Sequence, residues 1–184
     1  GSFYPARDRS REKMKTLVPR LLILTAGVWI LRAVGPEWYG SWALGTNLLA
    51  AVGIQAGLWL GPVGLLVWAL ATGMFWDFTT FSPLGHHLLV LGGIGFLVRS
   101  QRGWWKGASA GEQAAGSVLA AVAYFALDRL LHLLETRAWE WPFLLNVSIV
   151  FGGLVNGVAS VVMGWWLEQE DRFPVPSRTR RRMH

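Results

Sequence analysis

Cysteine is absent from the 184 residues, which excludes disulfides, thiolate nucleophiles and cysteine-held metal sites and leaves the redox compartment unmarked. Charge is scarce as well. Only 28 side chains are charged, 15% of the chain, where a soluble domain carries about 25%. Three stretches, 38–76, 78–98 and 141–167, hold no charged residue over 39, 21 and 27 positions. Catalytic templates are missing too: there is no Gly-x-Ser-x-Gly, no His-Glu-x-x-His, no phosphate-binding glycine loop and no paired carboxylate motif on one helix. Neither an enzyme nor a bound cofactor is expected.

What the chain does have is apolar surface: 53% hydrophobic residues, 12 tryptophans and a mean hydropathy of +0.36. Each uncharged stretch is long enough to cross a bilayer, which takes about 20 apolar residues per helix. The pattern predicts an all-α integral membrane protein with six transmembrane helices, over 17–34, 42–60, 62–78, 83–98, 116–134 and 141–167. The stretch of 39 must hold two of them, because one helix of that length would be nearly twice the thickness of the hydrocarbon core. Gly61-Pro62 supplies the break, with proline in the first turn of the next helix. Ser82-Pro83 is read as the start of the fourth helix, with serine as N-cap.

Residues 1–16 read as a basic cytoplasmic tail, 17–167 as the transmembrane domain and 168–184 as a second basic tail. Met14-Lys15 resembles a natural start, with 1–13 an extension ahead of it that is assigned no fold. The basic tail and apolar segment are reminiscent of a signal peptide, but the cleavage site is poor, so an uncleaved first helix is expected. Lysine and arginine set the orientation. With both termini in the cytoplasm, 14 of the 17 fall on the inner side. The net charge of +6 is then explained by topology and anionic lipid, and nucleic acid is not expected as a partner. Arg99, Arg102, Trp104, Trp105 and Lys106 form an interfacial anchor or docking surface, and Arg180, Arg181 and Arg182 a tail held against the membrane. Trp38, Trp42, Trp76, Trp139 and Trp141 mark the outer interface, and Trp59, Trp104, Trp105, Trp165 and Trp166 the inner one.

Three constellations carry candidate sites. Ala69, Gly73 and Asp77 recur every four residues, so one helix face holds two small residues and a carboxylate. Asp77 either caps the fourth helix or contacts a partner or ligand. Gly153 and Gly157 form a second small-residue face, and Asn156 beside them must find a hydrogen-bond partner in apolar surroundings. Asp128 falls past the bilayer centre, where a carboxylate is costly; His132 one turn on is its expected partner, with Arg129 or the histidines at the outer helix ends as alternatives. Asp77, His86, Asp128, His132 and Asn156 are candidates for an outward pocket, and Asp77, His86, His87, Asp128 and His132 could converge on the outer half. No metal site is expected, since neighbouring helix residues point about 100° apart and no zinc-type spacing occurs.

Gly73-Met-Phe-Trp-Asp77, followed by Ser82-Pro83-Leu84-Gly85, resembles the signature of the MreD family, the membrane-embedded rod shape-determining proteins of bacteria. Asp128 and the run Leu154-Val155-Asn156-Gly157 resemble further family positions, and the likeness covers about 14–173. His86-His87 and the loop 100–113 have no counterpart in it. The resemblance implies a fold similar to the substrate-binding subunits of energy-coupling factor transporters, in the inner membrane. It also implies a scaffold role in peptidoglycan elongation, with MreC bound directly and RodA, a class B penicillin-binding transpeptidase and MreB in the larger complex. Ala69, Gly73, Asp77, Gly85, Gly153, Asn156 and Gly157 are the expected partner-binding residues. The other reading is a substrate-binding subunit of a small-molecule or lipid-precursor transporter.

Overall fold

A computed structural model describes the backbone of residues 6–34, 48–136 and 147–168, and side chains for 17–31, 48–135 and 149–168. Among the described residues every regular element is a helix and there is no strand: α1 (Ala6–Val34), α2 (Leu49–Trp59), α3 (Pro62–Thr80), α4 (His86–Ser100), a short α5 (Arg102–Gly107), α6 (Ala110–Thr136) and α7 (Val147–Glu168). Three helices are long and apolar enough to cross a membrane: Pro62–Thr80, Ala110–Glu135 and Ile149–Glu168. Leu17–Leu31, Leu49–Trp59 and His86–Ser100 are apolar but shorter.

The helix starts differ from the sequence expectation where local chemistry outweighs hydropathy. Helix α1 begins at Ala6, ahead of the apolar segment, because arginine, glutamate, lysine and methionine sustain a helix in water as well as leucine does. Helix α4 begins at His86 rather than Pro83. The Pro83 carbonyl accepts the His86 N–H at 3.1 Å in a turn, and Gly85 adopts φ +95°, a left-handed conformation open to glycine. Helix α6 begins at Ala110, six residues early. Ser109 and Glu112 cap it reciprocally: the Ser109 N–H donates to Glu112 Oε2 at 2.6 Å, and the Glu112 N–H to Ser109 Oγ at 3.4 Å. Residues 102–107, expected as loop, form α5.

Helix α2 is the axis of the bundle. Leu49 to Gly57 are buried all round, and the helix touches α1, α3, α4, α6 and α7. A helix without a polar face can settle only inside other helices. The outer helices turn apolar side chains outward, Val63, Val67, Leu70 and Phe78 on α3 and Val150, Leu154, Val158 and Trp165 on α7. An exterior this apolar over so much of the surface suits lipid rather than water.

Small residues set the helix spacing. A Cβ at Gly157 would sit 2.5 Å from Val118 Cγ2 and 2.6 Å from its Cα, so α7 lies against α6 at a distance only glycine allows. Among the aromatic residues expected at interfaces, Trp165 and Trp104 are exposed, whereas Trp76 and Trp105 are buried in the core. Trp38, Trp42, Trp139 and Trp141 lie outside the described residues. Mid-helix, Trp68 donates its Nε1–H to Thr25 Oγ1 at 3.1 Å, and Trp29 stacks on Phe75 with ring centroids 4.0 Å apart.

Candidate functional site

Two polar systems occupy the apolar bundle. One is built of amides. Asn156 Oδ1 accepts the N–H of Ala51 at 3.1 Å, a first-turn donor of α2 that its own helix leaves without a partner. The Asn156 amide nitrogen in turn donates to the Gly152 carbonyl at 3.0 Å. One turn along, Gln55 Nε2 donates to Ser160 O and Oγ at 2.7 and 2.9 Å, while its Oε1 accepts the Trp59 indole N–H at 3.0 Å. Asn156 is thus the interhelical tie that its apolar neighbours demanded.

The other system is ionisable and joins α3, α4 and α6. Asp77, buried at 1% exposure, sits one turn from the end of α3 and reaches the start of α4. Its Oδ2 accepts the Gly85 N–H at 2.6 Å and its Oδ1 the His87 N–H at 3.0 Å. Gly85 itself has no side chain with which to cap, so a carboxylate eight residues upstream supplies the cap. Asp77 therefore does the capping work that the sequence pointed to, and not through Ser82. Gly73 completes the hairpin. A Cβ there would lie 2.5 Å from Leu88 N and 2.6 Å from its Cα, so the α4 backbone runs directly against it.

From this anchored turn the two histidines project toward α6. His87 Nδ1 lies 2.7 Å from Asp77 Oδ1. An ionised carboxylate only accepts, so Nδ1 carries the hydrogen and Nε2 presents its lone pair. His86 Nε2 lies 3.0 Å from Asp128 Oδ1 and its Nδ1 2.9 Å from Glu135 Oε1. His87 Nε2 faces the same Asp128 oxygen at 3.8 Å. The two imidazoles are 4.9 Å apart between centroids. A 100° difference in Cβ direction does not separate rings that both extend to one carboxylate. His86, His87 and Asp128 can each offer one ligand atom within 4.8 Å of the others. Tyr124, one turn before Asp128, is buried, with no hydrogen-bond partner for its hydroxyl among the described residues.

The candidate residues therefore divide. Asp77, His86 and Asp128 come together around the two imidazoles. Asn156 belongs to the amide system, and His132 is an exposed residue one turn beyond Asp128. His86, one of the alternatives, is a partner of Asp128. Glu135 is a member that the sequence reading did not name, and His87 one that it left out of the outward pocket. Glu135 follows Asp128 by seven residues, two turns along one helix face, and that spacing is a signal the sequence does carry.

The small-residue faces are filled by the chain's own helices. Ala69, Gly73, Asp77, Gly153, Asn156 and Gly157 are all buried, Gly153 and Gly157 against Val122 and Val118, and Gly85 is half-buried in the turn. None of the six buried residues is open to a partner helix, and replacing Gly73 with leucine would disrupt the hairpin.

At the other end, Arg99 donates to the Leu60 carbonyl at the C-terminus of α2, where a cation also complements the helix dipole. Burial and the nearby Arg99 charge lower the Arg102 pKa from its ordinary value. Trp104 is exposed on α5 while Trp105 packs inward, which gives this element one anchoring ring rather than two. Arg180, Arg181 and Arg182 lie outside the described residues.

The described residues form an all-helical bundle with an apolar exterior, polar ties inside and three helices of membrane length, the character of a helical membrane protein. No family model, no curated protein and no solved structure matches the chain.

Proposed function

We propose that this chain is a six-pass protein of the bacterial cytoplasmic membrane with both termini inside, a non-enzymatic scaffold of the cell-wall elongation machinery that binds MreC in the manner of the MreD family. One observation supports this reading most. Gly73, Asp77 and Gly85, the residues carrying the resemblance, act as one device: glycine admits the α4 backbone, aspartate caps α4, and glycine takes the left-handed turn. Their spacing is what this hairpin needs, so the signature is a structural one. Six passes follow if α1, α2 and α4 also cross, and a fold like that of energy-coupling factor substrate subunits is the expected arrangement.

Because the small-residue faces are taken, the partner surface moves outward, to the exposed apolar stripe Val63, Val67, Leu70 and Phe78 of α3. Gentle purification from native membranes, followed by mass spectrometry of what remains bound, tests the reading. Recovery of MreC with RodA and a class B transpeptidase is expected, and L70W on the stripe should reduce it while the protein stays folded. Recovery of paired transport ATPases with a coupling protein would replace the scaffold by a substrate-capture subunit.

A further inference from the structure

We propose that His86, His87 and Asp128 form a binding site for a divalent transition-metal cation of the zinc type, with Asp77 and Glu135 as the carboxylates that orient the two imidazoles. The inference is independent of the partner proposed above.

The argument begins with the nitrogens. A metal-ligating histidine normally donates its other ring N–H to a carboxylate or carbonyl, which sets the tautomer and aims the ring. Both histidines here have that arrangement. His87 Nδ1 is held by Asp77 at 2.7 Å, and His86 Nδ1 by Glu135 at 2.9 Å. Each ring then directs Nε2 at Asp128 Oδ1, at 3.8 and 3.0 Å. Tetrahedral ligands about 2.0–2.1 Å from zinc are roughly 3.3 Å from one another, so the spacings already bracket the required value. Two imidazoles and one carboxylate are a ligand set that zinc-type ions accept, with a fourth position left for water.

The surroundings favour an ion as well. The histidine side chains are 5% and 9% exposed and held from behind, which limits the ordering that binding must bring about, whereas the Asp128 side chain is 35% exposed. Within the cluster three carboxylates face two imidazoles, so a cation is the component in short supply. On binding, the ion takes the place of the hydrogen between His86 Nε2 and Asp128 Oδ1, and that proton leaves to solvent. Binding would fasten α4 to α6 at the end of the bundle where the α3–α4 hairpin turns.

The test uses the full chain, untagged, in mild detergent after treatment with chelator, titrated with Co²⁺ and then with Zn²⁺. One equivalent of Co²⁺ should bind with visible d–d absorption of low-symmetry coordination, and Zn²⁺ should displace it. H87Q and D128N should abolish the signal, and E135Q, acting only through His86, should weaken affinity 10–100-fold. Absence of saturable stoichiometric binding by the folded wild-type chain overturns the proposal. So does binding that survives H87Q and D128N, which would put the ion at His132, His184 or elsewhere. Should those two variants fail to fold, E135Q decides: unchanged affinity rejects the site, and the graded loss supports it.

Discussion

The amide ties around α2 and the ionisable cluster between α3, α4 and α6 answer the same problem in different ways. Both join helices whose apolar surfaces cannot discriminate among packing registers. The amides Asn156 and Gln55 do so with neutral groups and meet backbone or hydroxyl partners within about one hydrogen-bond length. The cluster uses three carboxylates and two imidazoles, which are costlier to remove from water than amides are. A hairpin cap requires only Asp77. The convergence of His86, His87, Asp128 and Glu135 exceeds what the turn needs, and that excess separates a candidate site from a structural tie.

The largest effect is expected at the residue the two roles share. D77A leaves the Gly85 and His87 N–H groups and His87 Nδ1 without their acceptor in a buried setting, and should cost about 3–5 kcal/mol in detergent-mediated unfolding. A loss under 1 kcal/mol would mean the cap is dispensable. G73L overpacks the same hairpin and should cost about 3 kcal/mol, with thermal unfolding as the measure and a normal melting temperature as the contrary result. N156L tests the amide side. It orphans one buried N–H of α2 and should cost about 1–3 kcal/mol, with no dependence on pH between 5 and 8.

A smaller change in the opposite direction is expected at the turn itself. Phe81 caps α3 in the left-handed region at φ 55° while its side chain is 95% exposed, so F81G should stabilise the protein by about 1 kcal/mol. Equal or lower stability would show that the exposed ring contributes through a contact with lipid.

The smallest effect sits at the start of α6. S109A removes the hydroxyl half of the Ser109–Glu112 box and should cost about 0.5 kcal/mol in thermal unfolding, with faster hydrogen exchange over 109–113. Unchanged exchange would show that the helix start is held by packing instead.

How much was legible depends on how local the cause is. The Gly61-Pro62 break and the shared face of Ala69, Gly73 and Asp77 follow from spacing alone, and the structure keeps both. The Ser109-x-x-Glu112 box is equally local, and hydropathy does not register it because both residues are polar. Ser82-Pro83 misled because a serine and proline pair suits a helix start wherever it occurs, and the competing cap came from eight residues upstream of Gly85. The pairing of Asp128 with His86 lay beyond any local pattern, since 42 residues separate the two.

Sequence by itself determined the class: an uncharged run must be buried in lipid or protein, and glycine, proline and charge mark where helices stop. Only tertiary structure decided which apolar helix became the axis, that the small-residue faces would be used internally, and that two adjacent histidines would converge on one carboxylate. Those outcomes depend on close packing between residues far apart in the chain, where steric fit and hydrogen-bond satisfaction select one arrangement from many that hydropathy leaves equal.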